Sequence, residues 1–379
     1  MNIQQKIIRL CLSAFMLLSV AACAARPGSS AAFVSSTGFI CPNPSPRVQF
    51  ESREINIFTW TEYVPSDIIE CFGLVYGVKV NVDYFSSNEE LHTKMSFGES
   101  VNPYDVIHPS DYMIDVLTRE GILQKLDQSK LPNIKNLDAR LVSTAYGNSG
   151  DYVVPYQMGT QAIVYNATTV KTPPTSWADL WNPEYKKRIV AVDDSRVIIG
   201  IVLLSLGYDA NSTDKAQLEQ AKQKLIELMP NIRVFDSDSP KNSLLTGEVD
   251  IGIVWNGEAF LAKQEDANFE YVFPNEGSII FYDGMGIPAN APHSDASYAW
   301  FNYLLQGDVF WLTLVDYPYT NPNAAALEFA KAYHTDVYNA YASSPITNTP
   351  ADIFAKGHNI KDLGDALILY DQIWTEIKK

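Results

Sequence analysis

Residues 54–65 read EINIFTWTEYVP. Ile55, Ile57 and Phe58 make a short apolar strand, and Trp60, Thr61, Glu62 and Tyr63 stand at its carboxyl end. A strand that ends this way delivers aromatic rings, a hydroxyl and a carboxylate to the tip of a sheet, which is where open α/β folds bind ligands. An aromatic face attracts a cation, and a neighbouring carboxylate neutralises it. The competing reading is a helix start after a strand, with the Trp60 ring in the core.

Working outward, strand and helix patterns alternate. Ile68, Ile69 and Phe72 recur at helical spacing from Ser66 to Tyr76, and Gly77 stops them. Val78, Val80 and Val82 alternate as a strand, a second helix starts at Asn88, and Tyr104 to Ile107 forms a strand that runs into Pro109, Ser110, Asp111 and Tyr112. Short loops joining such units are the signature of a parallel α/β sheet. After Asp151 a second series begins. Strands are expected at 152–155, 162–165, 189–192, 249–254 and 278–287, and helices at 197–206, 214–228 and about 365–377. At 379 residues the chain exceeds the size at which one core usually stops growing, so two lobes are expected.

The ends carry other information. Lys6 and Arg9 precede an apolar run from Leu10 to Ala22 that is too short to span a bilayer, the pattern of a secretory signal. Small residues just before Cys23 resemble a bacterial lipobox, which implies cleavage after Ala22 and acylation of the Cys23 sulfur; ordinary cleavage between Ala22 and Ala25 is the alternative. From Ala24 to Arg47 the composition is small, polar and rich in Ser and Pro, so residues 23–53 are expected to be a lipid-anchored flexible tether. Cys41 and Cys71 are then the two cysteines left. In an oxidising compartment they are a candidate disulfide, with separate thiols as the other reading.

A net charge of −16 argues against nucleic acid and anionic lipid surfaces as partners. Loss of residues 1–22 removes Lys6 and Arg9 but no acid, taking it to −18. The chain contains no GxSxG, HExxH or P-loop, and no GxGxxG between a strand and a helix. Its five histidines are scattered without metal-ligand spacing, so neither a catalytic role, a metal nor a cofactor is expected. The acid pair Asp193–Asp194 follows a strand, where it caps a helix more often than it catalyses. What recurs instead is the aromatic or acidic strand tip: Trp60 to Tyr63, Ser110 to Tyr112, Asp194, Trp255 to Glu258, Phe281 to Asp283, and Tyr317. Arg196 is the only cation read as belonging to this set.

Several long segments carry a specific resemblance, in order: TWTEYVP (59–65), SNE (87–89), YDVIHPSDY (104–112), KLDQSKLPNIKNLD (125–138), TSWADLWNPEYK (175–186), VDDSR (192–196), GEVDIGIVWNGEAF (247–260) and PNEGSIIFYDGMGIPANA (274–291). The chain resembles the substrate-binding components of bacterial spermidine/putrescine ABC transporters, two-lobed type II periplasmic binding proteins. The resemblance implies an α/β fold with a mostly parallel sheet in each lobe: 54–158 plus 281–330, and 159–280 plus 331–379. It implies capture of a polyamine in the cleft and delivery to a membrane permease, in the periplasm or cell envelope.

By position, the implied aromatic box is Trp60, Tyr63, Tyr112, Trp255, Phe281 and Tyr317, with acids Glu62, Asp194 and Asp283 and hydroxyls Thr61 and Ser110. Val197 stands where the spermidine-preferring pattern has glutamate, Phe281 where it has tryptophan, and Ile360 near its C-terminal glutamine. Glu258 matches an acid of putrescine-preferring relatives. Together these changes imply a preference for the shorter diamine. Another small cationic solute, a polyamine-sensing lipoprotein and an enzyme on the same fold are the rival expectations.

Overall fold

A computed structural model describes residues 32–96, 102–146 and 150–379. The signal segment and Cys23 lie outside the described residues. Apolar alternation places Glu54–Trp60 (β1) beside Lys79–Phe85 (β2), paired in parallel along the full length of both, with Val106–Ile107 (β3) on the other edge of β1. Helix Ser66–Tyr76 links β1 to β2. It buries Ile68, Cys71, Phe72 and Val75 and ends at Gly77, whose φ of 69° lets its N–H reach back to the Gly73 carbonyl.

Val153–Asn166 (β4) is one strand of 14 residues, where two shorter strands were expected around Gly159. Its backbone crosses that glycine unbroken, because residues 153–161 pair antiparallel with Ile279–Gly286 (β9) while residues 161–165 pair with Ile251–Trp255 (β7). Beyond β7 lie Ile189–Ala191 (β5) and Ile232–Phe235 (β6), both running parallel to their neighbours. Phe269–Val272 (β8) adds to β4, and His358–Asn359 (β10) adds to β9. Among the described residues the order is β2-β1-β3-β9-β4-β7-β5-β6. Two parallel wings are thus joined by two long antiparallel strands, the connection expected of a two-lobed α/β protein that hinges.

Residues 34–53 correct the expectation of a flexible tether. Cys41 is bonded to Cys71 on the inner face of helix Ser66–Tyr76, with Cα atoms 5.2 Å apart. The Ser36 N–H donates to Glu70, Thr37 to Asp67 and the Ser45 N–H to Gln306, and the Phe50 ring stacks on Phe72. Composition misled because a covalent tie and side-chain acceptors on the body hold a segment with few apolar residues of its own. Helices Ala324–Tyr333, Thr335–Ser343 and Ala351–Lys356 were also unread. Ala326, Ala330 and Tyr341 join the apolar cluster of Trp300, Phe301 and Phe310, so this packing continues past residue 330, where a lobe boundary was expected.

Candidate functional site

The carboxyl ends of β1 and β7 meet at one narrow cavity. Trp60, Thr61, Tyr63, Ser110, Trp255, Phe281 and Asp283 line it, with Ser237, Asp238 and Tyr319. It encloses about 40 Å³. The first seven lining residues belong to the set read from the sequence. The last three do not: Ser237 and Asp238 sit in a polar turn that reads as an ordinary loop, and Tyr319 lies two residues beyond Tyr317, which is half-buried beside the cavity rather than in its wall.

Each wall is fixed locally. The Trp60 indole N–H donates to the His108 carbonyl at 2.8 Å, and its ring lies 4.4 Å from that of Phe85, holding the remaining face toward the cavity. Trp255 and Phe281 meet edge to face at 5.3 Å, as do Phe281 and Tyr319 at 5.9 Å. Two glycines permit this approach. A Cβ at Gly159 would lie 2.6 Å from the Phe281 ring and 2.0 Å from Asn256 Oδ1, and one at Gly257 would lie 2.8 Å from Tyr319.

Asp283 is the buried charge of the cavity. It sits on β9 at 4% exposure, bridged through its backbone to Ser110, and its Oδ2 accepts from the Tyr63 hydroxyl at 2.5 Å. Burial pushes its carboxyl up to about 7, against hydrogen bonds from Tyr63 and Ser110 that favour the ionised form. Protonation or a bound cation are the two ways this group becomes neutral.

The remaining sequence-read residues fall into two neighbouring groups. Asp194 caps helix Ser195–Ser205, its Oδ1 accepting from the N–H groups of Arg196 and Val197 at 2.9 and 3.0 Å. Tyr112 donates to Glu89 Oε1 at 2.8 Å, and the buried Arg196 guanidinium lies over the Tyr112 and Tyr370 rings. Burial and the Asp194 charge raise Glu89 to about 7. Val197 and Ile360 are buried in the apolar core. The other group corrects the reading that Arg196 is the only cation in the set. Lys241 opens the short helix Lys241–Leu245, and its Nζ donates to Glu62 Oε2 at 2.7 Å and to Glu258 at 3.0 and 3.1 Å. Glu62 reaches it from the tip of β1 with φ of 49°, a left-handed conformation uncommon outside glycine. Burial raises Glu258 to about 7 although the Lys241 charge opposes it. Lys241 was legible only as a charge in a polar turn, because nothing in its neighbours marks the cleft.

Among the described residues no helix is long and apolar enough to cross a membrane. Residues 68–341 match the family model described as bacterial extracellular solute-binding protein. The spermidine/putrescine-binding periplasmic protein of Salmonella typhimurium is 38% identical over 329 residues, covering 86% of this chain and 92% of that one. The putrescine-binding periplasmic protein of Escherichia coli is 31% identical over 350 residues, with the same coverages. A putative spermidine/putrescine ABC transporter structure from Listeria monocytogenes superposes with a TM-score of 0.80 at 30% identity, over 86% of this chain and 99% of that one. The protein is a binding protein and not an enzyme, and the chain belongs to the family of bacterial extracellular solute-binding proteins.

Proposed function

We propose that the protein captures a polyamine in the cavity between its wings and delivers it to the permease of an ABC transporter. The observation that carries this reading is Asp283: a carboxylate at 4% exposure, facing a box of Trp60, Tyr63, Trp255, Phe281 and Tyr319. Aromatic faces and a buried carboxylate favour an organic ammonium with an apolar stem over an anion or a neutral sugar. Relatives named for spermidine and putrescine binding support the same ligand class. Trp60, Thr61, Tyr63, Ser110, Trp255, Phe281 and Asp283 are assigned to ligand contact. Tyr112 and Asp194 with Glu89, and Glu62 and Glu258 with Lys241, are assigned to shaping the two flanks.

The two lobes divide near residues 158 and 280, and β4 and β9 carry the hinge. Cys23 anchors the protein by lipid to a membrane of the cell envelope, facing the periplasm. Metabolic labelling with a fatty acid, lost on Cys23→Ser, tests that anchor. Isothermal titration of the purified chain with putrescine, spermidine, cadaverine and amino acids tests the ligand. Binding of an amino acid but of no polyamine below about 100 μM would refute the assignment.

A further inference from the structure

The flank of the cavity formed by Glu62, Glu258 and Ser239 has the chemistry of a second ammonium site, and it is already filled from within. A primary ammonium has three N–H donors. The Nζ of Lys241 has acceptors for all three: Glu62 Oε2 at 2.7 Å, the Glu258 carboxylate at 3.0 Å and Ser239 Oγ at 3.0 Å. Its side chain is 14% exposed and that of Glu258 only 4%, so the centre of the cluster is shielded from water. Burial alone disfavours the ammonium, but Glu258 and Glu62 outweigh it and raise the Lys241 pKa, so the group is a permanent cation. Glu62 comes from the tip of β1, and Lys241 and Glu258 from the wing that carries β7, so the cation also ties one wall of the cavity to the other.

We infer that Lys241 is a specificity-determining residue, an internal ammonium that occupies the place a ligand's further ammonium would take and thereby tunes the cleft to short diamines. The inference rests on the polyamine reading above. The carboxylates left on the cavity wall are Asp283 and Asp238, two acids for two ammonium groups. A triamine that enters beside them brings a third charge toward Lys241, where the acceptors are taken and the resident charge repels it. At the other flank Val197 is 3% exposed and offers no carboxylate.

The test is titration of the full chain and its Lys241→Met variant with putrescine and spermidine at neutral pH, with thermal melts to verify folding. In the wild type, spermidine binds no more tightly than putrescine. In Lys241→Met, the ratio of affinities moves toward spermidine by about tenfold or more, because Glu62 and Glu258 are released to pair the third ammonium. Putrescine binding with an unchanged ratio in the folded variant overturns the inference and leaves the polyamine reading standing. Failure of the wild type to bind either amine overturns both. Should Lys241→Met not fold, Lys241→Gln removes the resident charge while keeping a polar side chain, and a shift in the same direction is expected. The wild type alone also decides: spermidine bound about tenfold tighter than putrescine refutes an internal cation that excludes the longer amine.

Discussion

Binding of a diamine should tighten with rising pH up to neutrality, and Asp283 sets the size of the effect. In the free protein its carboxyl is held at about 7 by burial. A buried ammonium beside it lowers such a pKa by roughly 1 to 3 units, so about 4 in the complex is the lower bound. The ligand prefers the ionised carboxylate, so each complex formed below pH 7 must expel a proton from Asp283. Primary ammonium groups titrate near 10, so the ligand itself stays charged throughout. With those two values the affinity falls about 25-fold from pH 7.5 to 5.5, or roughly 2 kcal/mol, and is level above neutrality. Titration calorimetry in two buffers of different ionisation enthalpy measures both the affinity and the released proton. Glu89 and Glu258 also stand at about 7, so the Asp283→Asn variant is the control that separates them. It should lose most of the slope and about 2 kcal/mol or more of affinity at pH 7.5. A wild-type affinity constant within twofold across this range, or an unchanged slope in Asp283→Asn, would refute the assignment of the buried charge to the ligand.

The same groups act on the empty protein with the opposite sense. Asp283, Glu89 and Glu258 have folded pKa values above their unfolded ones, so their contribution to stability is fully present below pH 4 and lost as pH rises through 7. The melting temperature of the ligand-free protein should therefore fall between pH 5 and 8, and a saturating diamine should remove the part of the fall that comes from Asp283; calorimetric scans would show a flat profile if these carboxyls are solvated. Trp60→Ala and Trp255→Ala should each weaken diamine binding by about 1 to 2 kcal/mol, the worth of a desolvated cation–π contact, and wild-type affinity in both variants would exclude the rings from the site. Cys41→Ser opens the loop closed on Cys71, 30 residues away, and should cost roughly 3 to 4 kcal/mol of unfolding free energy in denaturant titrations. An effect under about 1 kcal/mol would mean that hydrogen bonds from 34–53 alone hold the strap.

The wings were legible in the sequence because parallel strands and their covering helices repeat a strong pattern. Helix Ser66–Tyr76 starts after Pro65 and stops at Gly77, and both signals are local. What joins the wings was less so. β4 buries all but its last residue, so it has no alternation to follow, and Gly159 within it admits the Phe281 ring. Trp60, Trp255 and Asp283 could be read because each ends or lies in a strand whose tip points one way. Lys241, Ser237 and Asp238 could not, since their place depends on how a polar turn of one wing faces Glu62 of the other. That is a property of wing packing, and no window of sequence contains it.

Closure of the cleft follows from the strength of what crosses it. The Ser86 hydroxyl donates to Asp238, Lys241 bridges Glu62 and Glu258, Arg119 pairs with Asp362, and Arg196 lies over Tyr112. The Arg119 and Glu62 side chains are 52% and 40% exposed, and exposed pairs contribute about 0 to 1 kcal/mol each. Those two exposed pairs add little to holding the wings together, whereas the Arg196 contact is buried. On the proposed function the large term is Asp283: burial disfavours its charged form, and a bound ammonium would favour it. Ligand therefore shifts the population by the difference between those two states, whatever its total affinity. On that reading, exposed pairs between the wings leave the cleft free to open, and the buried Asp283 carboxyl makes closure depend on a bound cation.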